Sequence, residues 1–338
     1  TLINAGMLLF PVEVPAMGYN TYLMEAVHED NILPITGTHA SWQDGLLQVE
    51  SDRYRILLDP SRGGIITSLV AVDMDKEFVK QDRTTGFNEI RGYFPSANSF
   101  LGSAAAPARI EILENGPLRV HLAIHAQIGG LPILSEMIVT QGQPRIDFTV
   151  QFAFNPDTWI GEAWGEEDPS RQRRRPFYDD RFKLQASFPT TLEEQRLYKN
   201  AAYDVCLSQN EDTFFNSWDQ IKHNIILDWV DLTNQDETLG MALFSDHTTS
   251  YVHGEDHPLS LVFGYSGKGL WGFTYSFDRP QKIHYALQPH AGNWNIAGIS
   301  QSMAKWKEPL HAQLGMGGLT SHSLLQVDNC CVEIPTMQ

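Results

Sequence analysis

The sequence is short of positive charge. Across 338 residues, 24 Lys and Arg face 41 Asp and Glu, for a formal net charge of −17. Binding nucleic acid calls for a basic stripe facing phosphate, so that class is excluded. Binding an acidic membrane surface is excluded on the same ground. Neutral ligands such as sugars stay compatible. Long apolar runs are missing as well. The longest stretches, Met7 to Phe10 and Ile221 to Val230, are short or broken by polar residues, against the roughly 18 residues that cross a bilayer. Residues 1–30 lack the basic start and small-residue cleavage site of a secretory leader. A chain that opens on Thr1 is expected to have lost its original N-terminus.

Cysteine is scarce: Cys206, Cys330 and Cys331 are the full set. An odd count with two adjacent residues is no disulfide framework, and there is no CxxC pair for structural zinc. A reducing, cytoplasmic location is therefore expected. The familiar catalytic signatures are also absent. There is no GxSxG elbow, no Walker loop, no GxGxxG and no HExxH. His247, His253 and His257 lie near Asp246, Glu255 and Asp256, and His253 and Glu255 would share a strand face. No ligand spacing for a metal emerges from them, and a solvated loop is the simpler account. Cys206, within Tyr203-Asp204-Val205-Cys206-Leu207, reads as a core residue of a strand.

What is present is alternation. Leu46-Leu47-Gln48-Val49, Arg53 to Leu58, Leu118 to Ile124 and Arg145 to Phe152 repeat apolar and polar residues with period two. Turn formers separate them: Asp59-Pro60, Gly63-Gly64, Asn115-Gly116-Pro117, Gly129-Gly130 and Gly142-Gln143-Pro144. Many short strands with this punctuation predict an all-β sandwich or barrel. Helical periodicity is hard to find. Thr191 to Lys199 could form one short helix behind N-cap threonines, or equally a loop.

One segment breaks the rhythm. Trp159 to Phe182 is polar and crowded with charge, including Trp164, Arg173-Arg174-Arg175, Asp179 and Asp180. A loop of this length is either functional or a solvated excursion with internally paired charges. Paired carboxylates are the usual tool of glycoside cleavage, but Asp179 and Asp180 are adjacent and would point to opposite faces of extended chain. Eight tryptophans and eleven tyrosines are many. Several tryptophans, such as Trp164, Trp218, Trp271, Trp294 and Trp306, sit in polar or glycine-rich settings where a flat ring suits a pyranose face. A large β-sandwich buries aromatics in any case.

Several stretches resemble the β-region of family 38 glycoside hydrolases, the α-mannosidases. They run from Leu9-Phe10-Pro11-Val12-Glu13-Val14-Pro15-Ala16-Met17-Gly18-Tyr19 through Asp59-Pro60-Ser61-Arg62-Gly63-Gly64-Ile65-Ile66-Thr67-Ser68-Leu69 with the trailing Asp75-Lys76-Glu77. Glu114-Asn115-Gly116-Pro117-Leu118-Arg119-Val120 and Lys183 to Pro189 follow. Then come Asp228-Trp229-Val230-Asp231-Leu232 with Gly240 to Asp246, and Tyr285-Ala286-Leu287-Gln288-Pro289-His290-Ala291-Gly292-Asn293-Trp294. Each motif is weak alone, but all fall in the family's order between residues 9 and 294.

The resemblance implies a galactose-mutarotase-like supersandwich over 38–320. A smaller β-element would adjoin it at 1–37, completed by 321–338. It also implies a parent enzyme that hydrolyses α-mannosides with retention, using zinc and an aspartate nucleophile. Those groups belong to an upstream catalytic domain. The matching motifs are not found here, so no catalytic residue and no metal ligand is expected in this segment. Ile35-Thr36-Gly37-Thr38-His39 echoes one of them only superficially. Leu259 to Tyr265 lacks the arginine that the family carries at the corresponding place.

The expected partners are the catalytic domain itself and mannose-containing oligosaccharides, with no nucleic acid and no membrane. Residues expected near the sugar cleft are Trp164, Asp179 and Asp180 on the irregular loop, Asp246 and Tyr251 after a strand, and His290 and Trp294. Two other readings stay open. One is a non-catalytic carbohydrate-binding module. The other is an aldose mutarotase, which needs a histidine acid and a carboxylate base across one cleft; His290 could be that acid.

Overall fold

In the computed structural model, the residues described are 2–4, 7–15, 17–25, 37–81, 84–161, 180–208, 224–254, 256–268, 273–308, 310–315, 318 and 320–323. The fold is all-β, as the alternation predicts, and its large packed antiparallel sheets are those of the supersandwich that the resemblance implies. Three antiparallel sheets of five, six and nine strands carry it. The chain divides into two compact units, one of Thr1–Thr36 with Ala304–Gln338 and one of Gly37–Met303.

The smaller unit is built from short pairings. Leu2–Asn4 pairs with Met7–Leu9, and Gly18–Asn20 pairs with Ser321–Ser323. The Tyr22 hydroxyl donates to the Glu13 carbonyl at 2.6 Å, and its ring meets Phe10 edge-on at 5.7 Å.

In the larger unit the five-stranded sheet is a simple meander from His39–Gln43 to Lys76–Glu77. The Asp59-Pro60 corner between two of its strands is fixed locally. Asp59 Oδ1 accepts from the Ser61 backbone N–H at 2.9 Å, as an N-cap does for the 3-10 turn Pro60–Arg62. Gly63 ends that turn at φ 67°, in the left-handed region, where a Cβ would also lie 2.2 Å from the Ser103 carbonyl. Only glycine fits.

The six-stranded sheet runs in the order Ser99–Gly102, Glu89–Phe94, Leu184–Phe188, His257–Gly264, Thr249–Gly254, Ile225–Ile226. The nine-stranded sheet contains a four-strand meander over residues 109–152 and a second four-strand group. In that group Arg196–Ala201 pairs with the edge strand Asp204–Ser208 on one side and with Trp229–Thr233 on the other, and Trp229–Thr233 pairs with Leu239–Ser245. Between the two groups lies Gln281–Ala291. That strand pairs with Ile146–Phe152 on one side and Leu239–Ser245 on the other.

Period two sorts the faces. Leu131–Thr140 alternates strictly between buried and half-buried positions along its last eight residues, as a sheet covered on one side should. One continuous apolar core takes residues from all three sheets. Tyr285 sits at its centre, stacked on Phe148 at 5.1 Å and meeting Phe188 and Phe263 of the six-stranded sheet at 6.1 and 6.0 Å.

Two local expectations need correction. Thr191 to Lys199 forms neither a helix nor a simple loop. Glu194 takes φ 47°, which breaks any helix, and a strand begins at Arg196 and runs to Ala201. A helix does exist at Ile299–Lys307, where Ile299 and Met303, four apart, are buried. No helix among the described residues is long and apolar enough to cross a membrane.

Candidate functional site

Of the seven residues expected near the cleft, Trp164 and Asp179 lie outside the described residues. The other five fall into three groups. Asp180 opens the 3-10 turn Asp180–Phe182 that follows the irregular segment. Its carboxylate is buried, bridged to Lys183 Nζ at 2.6 Å and accepting from Asn224 Nδ2 at 2.7 Å. The same Asn224 amide donates to the Tyr251 carbonyl at 2.9 Å. Asp180 and Tyr251 are thus joined through one asparagine. The Tyr251 side chain, however, turns into the core. Burial pushes its phenol up from the ordinary range, opposed by the hydrogen bond with Ser208 at 2.8 Å.

Beside Asp180, Phe182 packs edge-on against Tyr93 at 5.1 Å and lies 5.3 Å from Phe100. Arg91 stands over the Phe100 ring at 5.2 Å. Register places Arg91 opposite Gln185, and Glu89 opposite Ser187. These four face away from the core, because Ile90 and Ala186, which alternate with them, face into it. Glu89 is held by the Gly86 backbone N–H at 2.6 Å. Burial raises its carboxyl above the usual range, with the Gly86 bond and Arg91 opposing.

Asp246 stands apart from both other groups. It lies on the turn after Leu239–Ser245, with His247 Nδ1 at 2.6 Å, and both side chains are solvated. This small polar pair is consistent with a surface turn.

His290 and Trp294 belong to the outer face of the nine-stranded sheet. His290 Nε2 donates to Asp231 Oδ1 at 2.8 Å, and the two side chains are 5% and 0% exposed. The ring reaches across the intervening strand because that strand offers Gly240, where a Cβ would lie 2.4 Å from His290 Cε1. Trp294 packs on Trp229 at 5.9 Å. Near it, Glu237 gathers the Tyr198 hydroxyl at 2.5 Å, Arg196 Nη1 at 3.0 Å and Asn293 Nδ2 at 3.0 Å. The bond from Tyr198, followed by that from Asn293, holds the Glu237 carboxyl below the usual range.

A histidine sealed this deeply, and already donating to Asp231, presents no acid to an open cleft. His253, also buried, donates from Nε2 to Gln195 Oε1 at 2.8 Å, and burial pushes it down to about 4. Among the described residues no three His, Cys, Asp or Glu side chains come together to hold a metal. One open polar cleft of about 390 Å³ does exist, between the 191–194 loop and the 234–239 turn. Lys76, Thr191, Glu193, Glu194, Asn234 and Asp236 line it. Its size falls in the range of small-ligand sites.

No family model matches the chain. Against curated sequences, it is 23% identical over 323 residues to α-mannosidase G of Dictyostelium discoideum, covering 87% of this chain and 26% of that protein. The chain is similar to an α-mannosidase. Among solved structures, it matches an α-mannosidase from Enterococcus faecalis with TM-score 0.53 and 12% identity, over 75% of this chain and 30% of that one. A glycosyl hydrolase family 38 protein from Enterococcus faecalis matches with TM-score 0.55 and 11% identity, over 78% and 32%. These two structures speak to the fold. The resemblance to family 38 read from the motifs is thereby supported by sequence and by fold. The chain spans between about a quarter and a third of the length of each of these relatives.

Asp231, Glu237, Gly240 and Glu89 were not singled out by their spacing. The available signal for Asp231 was a carboxylate in a five-residue strand, Trp229–Thr233, whose every residue is buried. A charge there requires a partner.

Proposed function

We propose that this chain is the C-terminal β-region of a retaining α-mannosidase of glycoside hydrolase family 38. It acts as scaffold for an upstream catalytic domain and supplies one wall of the sugar cleft. The observation that carries this reading is the alignment with α-mannosidase G, which takes in most of this chain but only 26% of the longer relative. The motifs between residues 9 and 294 support it. Hydrolysis with retention needs two carboxylates across the scissile bond, and in this reading they belong to the upstream domain. So does the zinc that the resemblance implies, for which the described residues here offer no ligand set. A cytoplasmic setting accords with the small, odd cysteine count.

An aryl α-mannoside assay tests the assignment. The chain alone should give no turnover above background, and the same chain joined to its upstream sequence should give metal-dependent turnover. Activity in the isolated chain, or none in the longer protein, would overturn the proposal. A second reading, a non-catalytic carbohydrate-binding module, draws on the open polar cleft at Glu193, Glu194 and Asp236. Calorimetric titration of the chain with mannose and mannobiose separates the two, since a module binds and a scaffold does not.

A further inference from the structure

Two of the motif segments meet on the outer face of the nine-stranded sheet, in a cluster that the proposed function leaves without a role. Asp231 and Thr233 come from Trp229–Thr233, Gly240 and Ala242 from Leu239–Ser245, and Gln288 and His290 from Gln281–Ala291. Register sets Asp231 opposite Ala242 and Ala242 opposite Gln288. One step along, Thr233 faces Gly240 and Gly240 faces His290. All six residues therefore project to the same side of three adjacent strands. The middle strand contributes only a hydrogen and a methyl there, which leaves the space above it to the longer side chains on either flank. Part of that space is taken by the bond from His290 to Asp231 Oδ1.

Three oxygens remain. Asp231 Oδ2, Thr233 Oγ1 and Gln288 Oε1 are buried and have no hydrogen-bond partner among the described residues, on residues that are 0, 0 and 3% exposed. Native interiors leave few such atoms unpaired, and an internal water is the common way of closing the account. The chemistry of the three atoms is specific. A carboxylate oxygen and an amide oxygen can only accept, while a threonine hydroxyl can also donate.

We propose that one internal water sits above Ala242, donating to Asp231 Oδ2 and Gln288 Oε1 and accepting from the Thr233 hydroxyl. Its two hydrogens and one lone pair satisfy all three atoms. A hard divalent cation is a poorer fit, since it collects about six or more oxygens and this face supplies three. The water adds a second link, beside the His290–Asp231 bond, between the Trp229–Thr233 strand and the Gln281–Ala291 strand across a strand that offers no polar side chain there.

The first test is an atomic-resolution crystal structure of the full chain grown in rubidium salt. The expected result is a peak above Ala242 within hydrogen-bond distance of the three oxygens and without anomalous signal. An anomalous rubidium peak would overturn the proposal in favour of a cation. An empty site with the Gln288 amide turned so that Nε2 meets Asp231 would overturn it too. The second test compares Ala242→Ser with Ala242→Val by thermal unfolding. A serine hydroxyl can replace the water and should keep Tm close to that of the unaltered chain. Valine displaces the water without replacing its bonds and should lower Tm by several degrees. Equal losses in the two variants count against the water.

Discussion

The Tyr285 hydroxyl donates to Asn88 Oδ1 at 2.7 Å, tying the nine-stranded sheet to the turn that leads into the six-stranded one. Tyr285 is fully buried, and burial raises its phenol well above the ordinary range, so this bond stays neutral. Asn88 sits at φ 61° and donates its own backbone N–H to the Ser187 carbonyl at 2.7 Å. Tyr285→Phe keeps the ring packing and strands a buried acceptor, which should cost about 1–3 kcal/mol. Urea unfolding should show a lower midpoint with unchanged slope. A midpoint equal to that of the unaltered chain would mean that Asn88 finds another donor.

Gly240→Ala drives a methyl into the His290 ring and should separate it from Asp231. The expected loss is about 1–3 kcal/mol from overpacking alone. Asp231→Ala leaves the buried imidazole without its hydrogen-bond partner and should cost about 1–3 kcal/mol. Because both changes act through one contact, the double variant should lose much less than the sum. Additive losses in denaturant unfolding would show that the two act independently.

His253 should make the fold sensitive to acid. Its folded pKa of about 4 lies below the ordinary 6.5, so the unfolded chain binds the proton first. Stability from this site is present above pH 6.5 and is lost as pH falls toward 4, by up to about 3 kcal/mol. Comparing His253→Gln with the parent across that window isolates the effect, because the substituted chain should show a flatter decline. Parallel curves would remove His253 from the explanation.

Glu89 works in the opposite direction. Its carboxyl is raised on folding, so the folded chain holds the proton longer, and this contribution to stability is lost as pH rises through the raised value. Glu89→Gln should therefore flatten the loss of stability that sets in as pH rises above the ordinary value of 4.5, an effect opposite in sign to that of His253→Gln. A Glu89→Gln profile that still falls on raising the pH would assign that slope elsewhere.

Period-two alternation located strands well wherever one face is core and the other wet. Leu46–Glu50, Tyr54–Asp59, Arg119–Ile128 and Ile146–Phe152 all lie where the sequence pattern places them. The pattern failed at Thr191 to Lys199, where a strand begins two residues after a positive-φ glutamate that no propensity marks. It also passed over Ile299–Lys307, a nine-residue helix with only two buried side chains to carry a period. Site geometry was legible only in part. His290 was visible within its motif, but its partner Asp231 lies 59 residues earlier. Cross-strand register, not local sequence, brings the two together. Gly240 looked like any strand glycine until the ring above it was seen.

The position of Gln281–Ala291 between two four-strand groups has a consequence for synthesis. Residues 109–152 can pair as soon as they emerge, but the strand that covers their inner edge follows only after residues 153–280. At about 5–20 residues per second that is a wait of many seconds, with the backbone donors and acceptors of Ile146–Phe152 uncovered. The second group waits in the same way with Leu239–Ser245. A chain halted before Gln281 would carry two further open edges in place of one continuous sheet, each a template for another copy.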